Sequence, residues 1–215
     1  MVQTISADRI TLYQLEAEFG LRQIESASAF LEWQQELPAL TPSEQQRLDR
    51  VRAAFANLTQ RSVLENTVKL AVVAPLLDLA GLFLPPFYVS TEDEVELTAQ
   101  EGELTIRGRM DVLVLKEQFW LLVIESKRAE FSLKVGIPQV LSYMLTTPDH
   151  DRPLYGLVTN GSNFVFFEAS LASESSLCSL SGVCAGKSRR FGTGASGVET
   201  TRSSGRTVIY DEAPN

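Results

Sequence analysis

The sequence predicts a mixed α/β domain with an N-terminal helical region and a sheet that begins in its second half. Three observations carry this. Apolar residues recur at helical spacing through residues 11–79; apolar runs of strand length follow from residue 95 onward; and Asn160-Gly161 is the strongest short hairpin signal in the chain. The 215 residues are about one and a half times the commonest domain size, so one domain with an appendage is expected. With 44% hydrophobic and 21% charged residues the chain can bury a sizeable core, which excludes wholesale disorder and fibrous rods.

In chain order, Leu12, Leu15, Phe19, Ile24 and Leu31 predict a helix over 11–37, ended by Pro38. Thr41-Pro42-Ser43-Glu44 opens a second helix: Thr41 and Glu44 suit a capping box, and Pro42 takes the first helical position, where its missing N–H costs nothing. Leu48, Val51, Phe55 and Leu58 form its buried stripe. Ser62 to Glu65 has the same capping spacing and opens a third helix through Val68, Val72, Leu76 and Leu79, kinked by Pro75 and stopped by Gly81. Residues 95–99, 104–115 and 119–124 then read as three consecutive antiparallel strands, joined through Glu101-Gly102 and Lys116-Glu117-Gln118. The run 119–124 (FWLLVI) is apolar throughout, as a central strand covered on both faces should be. A helix over 137–145 and a hairpin of strands 154–158 and 164–167 complete the pattern. Residues 1–60 are thus a helical region, 61–169 the α/β domain and 170–215 a Ser/Gly-rich flexible tail, in which 207–210 suggests a short edge strand.

Composition narrows the function. No apolar run approaches the roughly 20 residues needed to span a bilayer, and the N-terminus lacks the layout of a secretory signal, so a cytoplasmic protein without a membrane partner is expected. Cys178 and Cys184 are too few for a disulfide framework, and the single histidine, His150, excludes a histidine-rich zinc site. A net charge of −8 does not suit general nucleic-acid binding; a polynucleotide partner would need a local basic patch.

The residues that suggest chemistry lie around two strands. Asp111 opens one strand, and the apolar strand beside it runs into Glu125-Ser126-Lys127. Residues i and i+2 share a face, so Glu125 and Lys127 point the same way, and an antiparallel hairpin brings Asp111 towards them. Two carboxylates so placed repel unless a cation sits between them, and hard oxygen ligands suit Mg²⁺, with Mn²⁺ as the alternative. A neighbouring lysine can orient a water and stabilise charge developing on a phosphate. The plainer alternative is an exposed aspartate and a solvated Glu/Lys pair.

This stretch resembles the PD-(D/E)xK nuclease superfamily, with its restriction-endonuclease-like mixed sheet flanked by helices; the N-terminal nuclease domain of type I restriction enzyme motor subunits is the nearest variety. Asp111 matches the aspartate of the motif and Glu125-Ser126-Lys127 its (D/E)xK. Gln139 and Tyr143 look like the QxxxY motif on the following helix, and Thr159-Asn160-Gly161 with 164–167 is similar to the hairpin after it. Glu65 falls where many members carry an acidic residue supporting the metal. The likeness covers about residues 60 to 168. It departs where Met110 replaces the proline, in the absence of a helicase motor from this sequence, and in a tail without a counterpart.

The resemblance implies a Mg²⁺-dependent deoxyribonuclease. Asp111, Glu125 and the Ser126 carbonyl would hold the metal, Lys127 would position the water, and Glu65 would assist. Gln139 and Tyr143 would contact DNA or orient catalytic groups. Arg107, Arg109, Arg128 and Lys134 supply the local basic patch. The alternative is a non-catalytic binding or assembly module that keeps the fold; RNA as substrate, a protein partner supplying specificity or a motor, and a homodimer are all compatible. Gly192 to Gly197 fits GxGxxG but follows no strand and opens no helix, and Gly182 to Ser188 is one residue short of a P-loop and sits in the same Ser/Gly tail.

Overall fold

A computed structural model describes residues 3–23, 37–99, 104–149, 152–171 and 178–185. One mixed sheet of eight strands organises them. The strands are β1 (Gln3–Ser6), β2 (Leu21–Gln23), β3 (Phe87–Thr98), β4 (Leu104–Lys116), β5 (Phe119–Ser126), β6 (Leu154–Thr159), β7 (Phe164–Leu171) and β8 (Cys178–Ala185). Their spatial order is β1-β4-β5-β6-β7-β8-β2, with β3 pairing β4. β3, β4 and β5 form the expected antiparallel run, with β3 starting at Phe87 rather than at residue 95; β5–β6 is parallel, and β6–β7 is the expected hairpin with Gly161 at φ +86 in its turn.

Helices cover both faces. On one, a three-residue 3₁₀ turn (Ala7–Arg9), α1 (Leu12–Phe19) and a later helix over Ile137–Met144 enclose a core containing Leu15, Met110, Val123, Val140, Tyr143 and Val158. On the other lie α2 (Pro42–Leu58) and a continuous helical rod: α3 (Glu65–Val68), a π turn (Lys69–Val73) and α4 (Ala74–Leu79). Val73 and Leu77 of the rod pack there on Val112, Val114, Ile124 and Leu157. The Ile137–Met144 helix is α5.

Several expectations change on contact with these elements. The first helix ends at Gly20, which takes the left-handed conformation (φ 67) that a glycine allows a helix to stop in, and the chain turns into β2. Ile24 and Leu31 lie outside the described residues. The Thr41–Glu44 capping box forms in full, with Pro42 at the first position. The Ser62–Glu65 box does not: α3 begins at Glu65 with Leu64 in the capping position, and Glu65 closes no cap. Pro75 sits two residues beyond the π turn, within which Ala74 N–H reaches back to Lys69 O, so the irregularity expected of the proline takes this form. Within the Ser/Gly stretch read as a flexible tail, residues 178–185 form β8 on β7, their backbone groups satisfied by the ladder. His150, residues 207–210 and the GxGxxG stretch lie outside the described residues.

The decisive feature is β4. β3 runs along one of its edges from Thr105 to Lys116. Along the other, parallel β1 pairs residues 104–107 and antiparallel β5 pairs 112–116, so Gly108, Arg109, Met110 and Asp111 lie between two partners. The strand also switches faces there. Met110 and Val112 are two residues apart and would share a face in a regular strand, yet Met110 packs in the α5 core and Val112 in the α4 core. β3 switches too, Val95 and Leu97 joining the first core and Val89 the second. Between them the ladder skips Glu92 and Asp111, and Glu92 has φ 61, an uncommon conformation for a residue other than glycine.

Candidate active site

The gap in β4 gathers the polar residues singled out by the sequence. Asp111 lies at this split in mid-strand and does not open β4, which begins seven residues earlier to pair with β1. As β5 leaves β4 beyond the Val112–Ile124 pair, Ser126 turns both of its donors to Asp111: its N–H lies 2.7 Å from Oδ2, and its hydroxyl donates to the same oxygen. Glu125 and Lys127 flank it, both buried, with Lys127 Nζ 2.8 Å from Glu125 Oε1. Asp111, Glu125 and Lys127 therefore converge.

The lysine is held from three directions. Its Nζ also donates to Gln139 Oε1 at 2.7 Å; Gln139 Nε2 donates to the Tyr143 hydroxyl at 2.8 Å; and that hydroxyl donates to the Arg109 carbonyl at 3.0 Å. One turn of α5 thus links Lys127 to the gap in β4. Tyr143 can come this close because residue 108 is glycine: a Cβ there would stand 2.7 Å from the Tyr143 ring and 2.6 Å from Ala7 Cβ. Behind the lysine, its backbone N–H donates to Thr159 O at 2.8 Å, and Asn160 Nδ2 donates to Phe131 O at 3.0 Å. The Thr159-Asn160-Gly161 turn is therefore what anchors the segment after β5. Gln139 and Tyr143 are both buried, and of the two roles the resemblance implies, orientation of the lysine fits their burial whereas surface contact with DNA does not.

Electrostatics set Glu125 apart. Burial, reinforced by the charge of Asp111 and to a lesser degree Glu65, pushes its carboxyl up to about 8, against the pull of Lys127. Its second oxygen, Oε2, is buried without a hydrogen-bond partner. The Tyr143 phenol is also raised, by burial and then by the Glu125 charge. Among the described residues no group of three or more His, Cys, Asp or Glu side chains is gathered tightly enough for a metal, so Glu65 acts on the site through its field and the close pair is Asp111 with Glu125.

Two residues at this site carry no motif. Lys69, at the start of the π turn, places Nζ 3.0 Å from Asp111 Oδ1 and 2.7 Å from Glu92 Oε1. Burial works against the Lys69 charge, but these carboxylates outweigh it and hold its pKa above the ordinary lysine value. The basic patch is largely engaged: Arg107 pairs with Glu96 and Arg109 with Glu94, all exposed, while the Arg128 guanidinium lies 5.7 Å from the Phe131 ring centre. Lys134 is exposed on a turn before α5.

No protein-family model matches the chain, and no curated protein matches it. Among the described residues no helix is long and apolar enough to cross a membrane.

Proposed function

We propose that the chain is a metal-dependent nuclease of the PD-(D/E)xK kind, with a restriction-endonuclease-like core, acting on phosphodiester bonds in DNA. The observation that carries this reading is Glu125: a buried carboxyl with one oxygen on Lys127, the other without a partner, and Asp111 close enough to raise its pKa. A fold that needed only packing would gain nothing from an orphaned carboxylate oxygen there.

The donor set fits a hard divalent cation such as Mg²⁺ or Mn²⁺, which Asp111 and Glu125 would hold, with the Ser126 carbonyl as the further ligand that the resemblance implies. When bound, such an ion polarises a phosphoryl oxygen and lowers the pKa of water. The chain's own groups do the rest. Ser126 fixes the carboxylate of Asp111 through two donors. Lys127, held by Glu125 and Gln139, keeps a third ammonium proton with which to orient a water or a phosphate oxygen. The Gln139–Tyr143–Arg109 chain keeps that ammonium from swinging away, which is the preorganisation catalysis needs. Arg107 and Arg109 can exchange exposed glutamate partners for backbone phosphates at little cost.

The test is cleavage of supercoiled plasmid, single-stranded DNA and RNA with Mg²⁺ or Mn²⁺, beside Asp111→Asn and Lys127→Ala proteins. Metal-dependent cleavage lost in both variants supports the reading, and the substrate arms separate DNA from RNA. A second reading, a non-catalytic binding or assembly module, is favoured by the net charge of −8 and the glutamate-paired arginines. Absence of both cleavage and metal binding selects it.

A further inference from the structure

The candidate metal position already has a positive charge beside it. Lys69 Nζ bridges Asp111 Oδ1 and Glu92 Oε1, at 3.0 and 2.7 Å, while Ser126 occupies the other oxygen of Asp111. Lys127 Nζ likewise stands 2.8 Å from Glu125 Oε1. Each of the two carboxyl groups thus has an ammonium beside it.

We propose that Lys69 is a displaceable stand-in for the divalent cation: a positioning residue whose ammonium holds Asp111 Oδ1 until the metal takes that oxygen, and then moves onto Glu92 alone. The inference rests on reading Asp111 and Glu125 as a metal pair. An ammonium and a divalent ion repel strongly at the separation that sharing one carboxylate oxygen imposes, so metal entry must move the lysine. A lysine suits the task, being a point charge on a flexible stem, whereas an arginine fork would lock to the carboxylate.

Glu92 supplies the place to go. Its side chain is half-exposed, so it can draw the ammonium outward from the part-buried Asp111. It falls with Asp111 where the β3–β4 ladder skips, between the Thr91–Val112 and Asp93–Met110 pairs, at φ 61 in the middle of a twelve-residue strand where no turn requires that conformation. Backbone strain of this kind persists where the surroundings enforce it and gathers at functional sites. Here the strained residue is the one whose carboxylate meets Lys69. The π turn opposite begins at Lys69, so both partners of this ion pair sit on local irregularities.

Calorimetric titration of the full chain with Mn²⁺ tests the proposal, with circular dichroism to verify folding. Lys69→Met should bind Mn²⁺ about tenfold more tightly than wild type, and Lys69→Arg no more tightly than wild type. Should Lys69→Met fail to fold, Lys69→Gln carries the same expectation. Glu92→Gln should weaken binding by about tenfold with Lys69 present and by less than about threefold in the Lys69→Met background, because the two act as a unit. Wild-type binding left unchanged or weakened by Lys69→Met overturns the inference and leaves the metal pair standing. An equal Glu92→Gln effect in both backgrounds overturns the handover to Glu92. Absence of Mn²⁺ binding from every protein, Lys69→Met included, overturns the inference together with the metal reading.

Discussion

Ion pairs of two kinds flank the gap in β4, one on the strand itself and one at the end of β5. In the first half of β4, Arg107 and Arg109 meet Glu96 and Glu94 across the β3 ladder with more than half of each side chain in water. Past the gap, Lys127 and Glu125 meet with under a tenth of either exposed. The residue types are nearly the same, but water decides what they do. The exposed pairs gain little, since solvent screens the attraction and side-chain entropy offsets it. The buried pair carries a large desolvation cost, which the hydrogen bond of Lys127 to Gln139, itself held by Tyr143, helps to offset. One oxygen of Glu125 still lacks a partner. The exposed ladder is therefore a replaceable surface, whereas the buried end is where the proposed metal site would have to be.

The sharpest contrast between the two regions is in pH dependence. The Glu125 carboxyl is raised to about 8 in the folded protein from an ordinary 4.5, so the folded state binds a proton that the unfolded chain releases. Its stabilising contribution is complete below about pH 4.5 and is lost as pH rises towards and through 8. Thermal melts of the metal-free protein should show the melting temperature falling from pH 5 to pH 9, and Glu125→Gln should flatten that fall. An unchanged slope in the variant would remove Glu125 as its source.

Next in size is Lys127→Ala, which strips the partner from Glu125 and Gln139. It should cost about 3 kcal/mol in urea unfolding at pH 9, where Glu125 is ionised, in addition to the loss of cleavage that the proposed function implies. Gly108→Ala comes below it. The new methyl group has to displace Ala7 and the buried Tyr143 ring, and about 2 kcal/mol of stability should go with it; cleavage should fall as well, because Tyr143 braces Lys127 through Gln139. Tyr143→Phe removes a hydroxyl that both donates and accepts, leaving the Gln139 amide and the Arg109 carbonyl short of a partner, at about 1.5 kcal/mol. At the exposed end, Glu96→Ala should change stability by less than about 0.5 kcal/mol. A loss as large as that of Tyr143→Phe would erase the distinction between the two regions.

What could be read from the sequence follows the range of the interactions. Asp111, Glu125 and Lys127 were legible because their meeting depends on one hairpin and the two-residue period of a strand. The Thr41–Glu44 cap, spanning three residues, was legible for the same reason. Lys69 was not: it reaches Asp111 across 42 residues by docking of a helix on the sheet, which no local periodicity encodes. Nor was Glu92, which lies in the part of β3 ahead of the expected strand 95–99 and takes an irregular backbone conformation. The short strands β1 and β2, of four and three residues, are too brief for alternation to show. Gly20 was a usable stop signal for α1, and apolar spacing beyond it masked it. β8 escaped because a Ser/Gly composition argues against a packed core but places no bar on backbone pairing with a neighbouring strand.

The central claim is that the unpartnered oxygen of Glu125 is held for a divalent cation. The most direct test is the melting temperature of wild type and Glu125→Gln as Mn²⁺ is raised at pH 8. A ligand that binds only the folded state stabilises it in proportion to the logarithm of its concentration. The melting temperature should rise for wild type and stay flat for Glu125→Gln. A flat response in both, or equal rises in both, would contradict the claim.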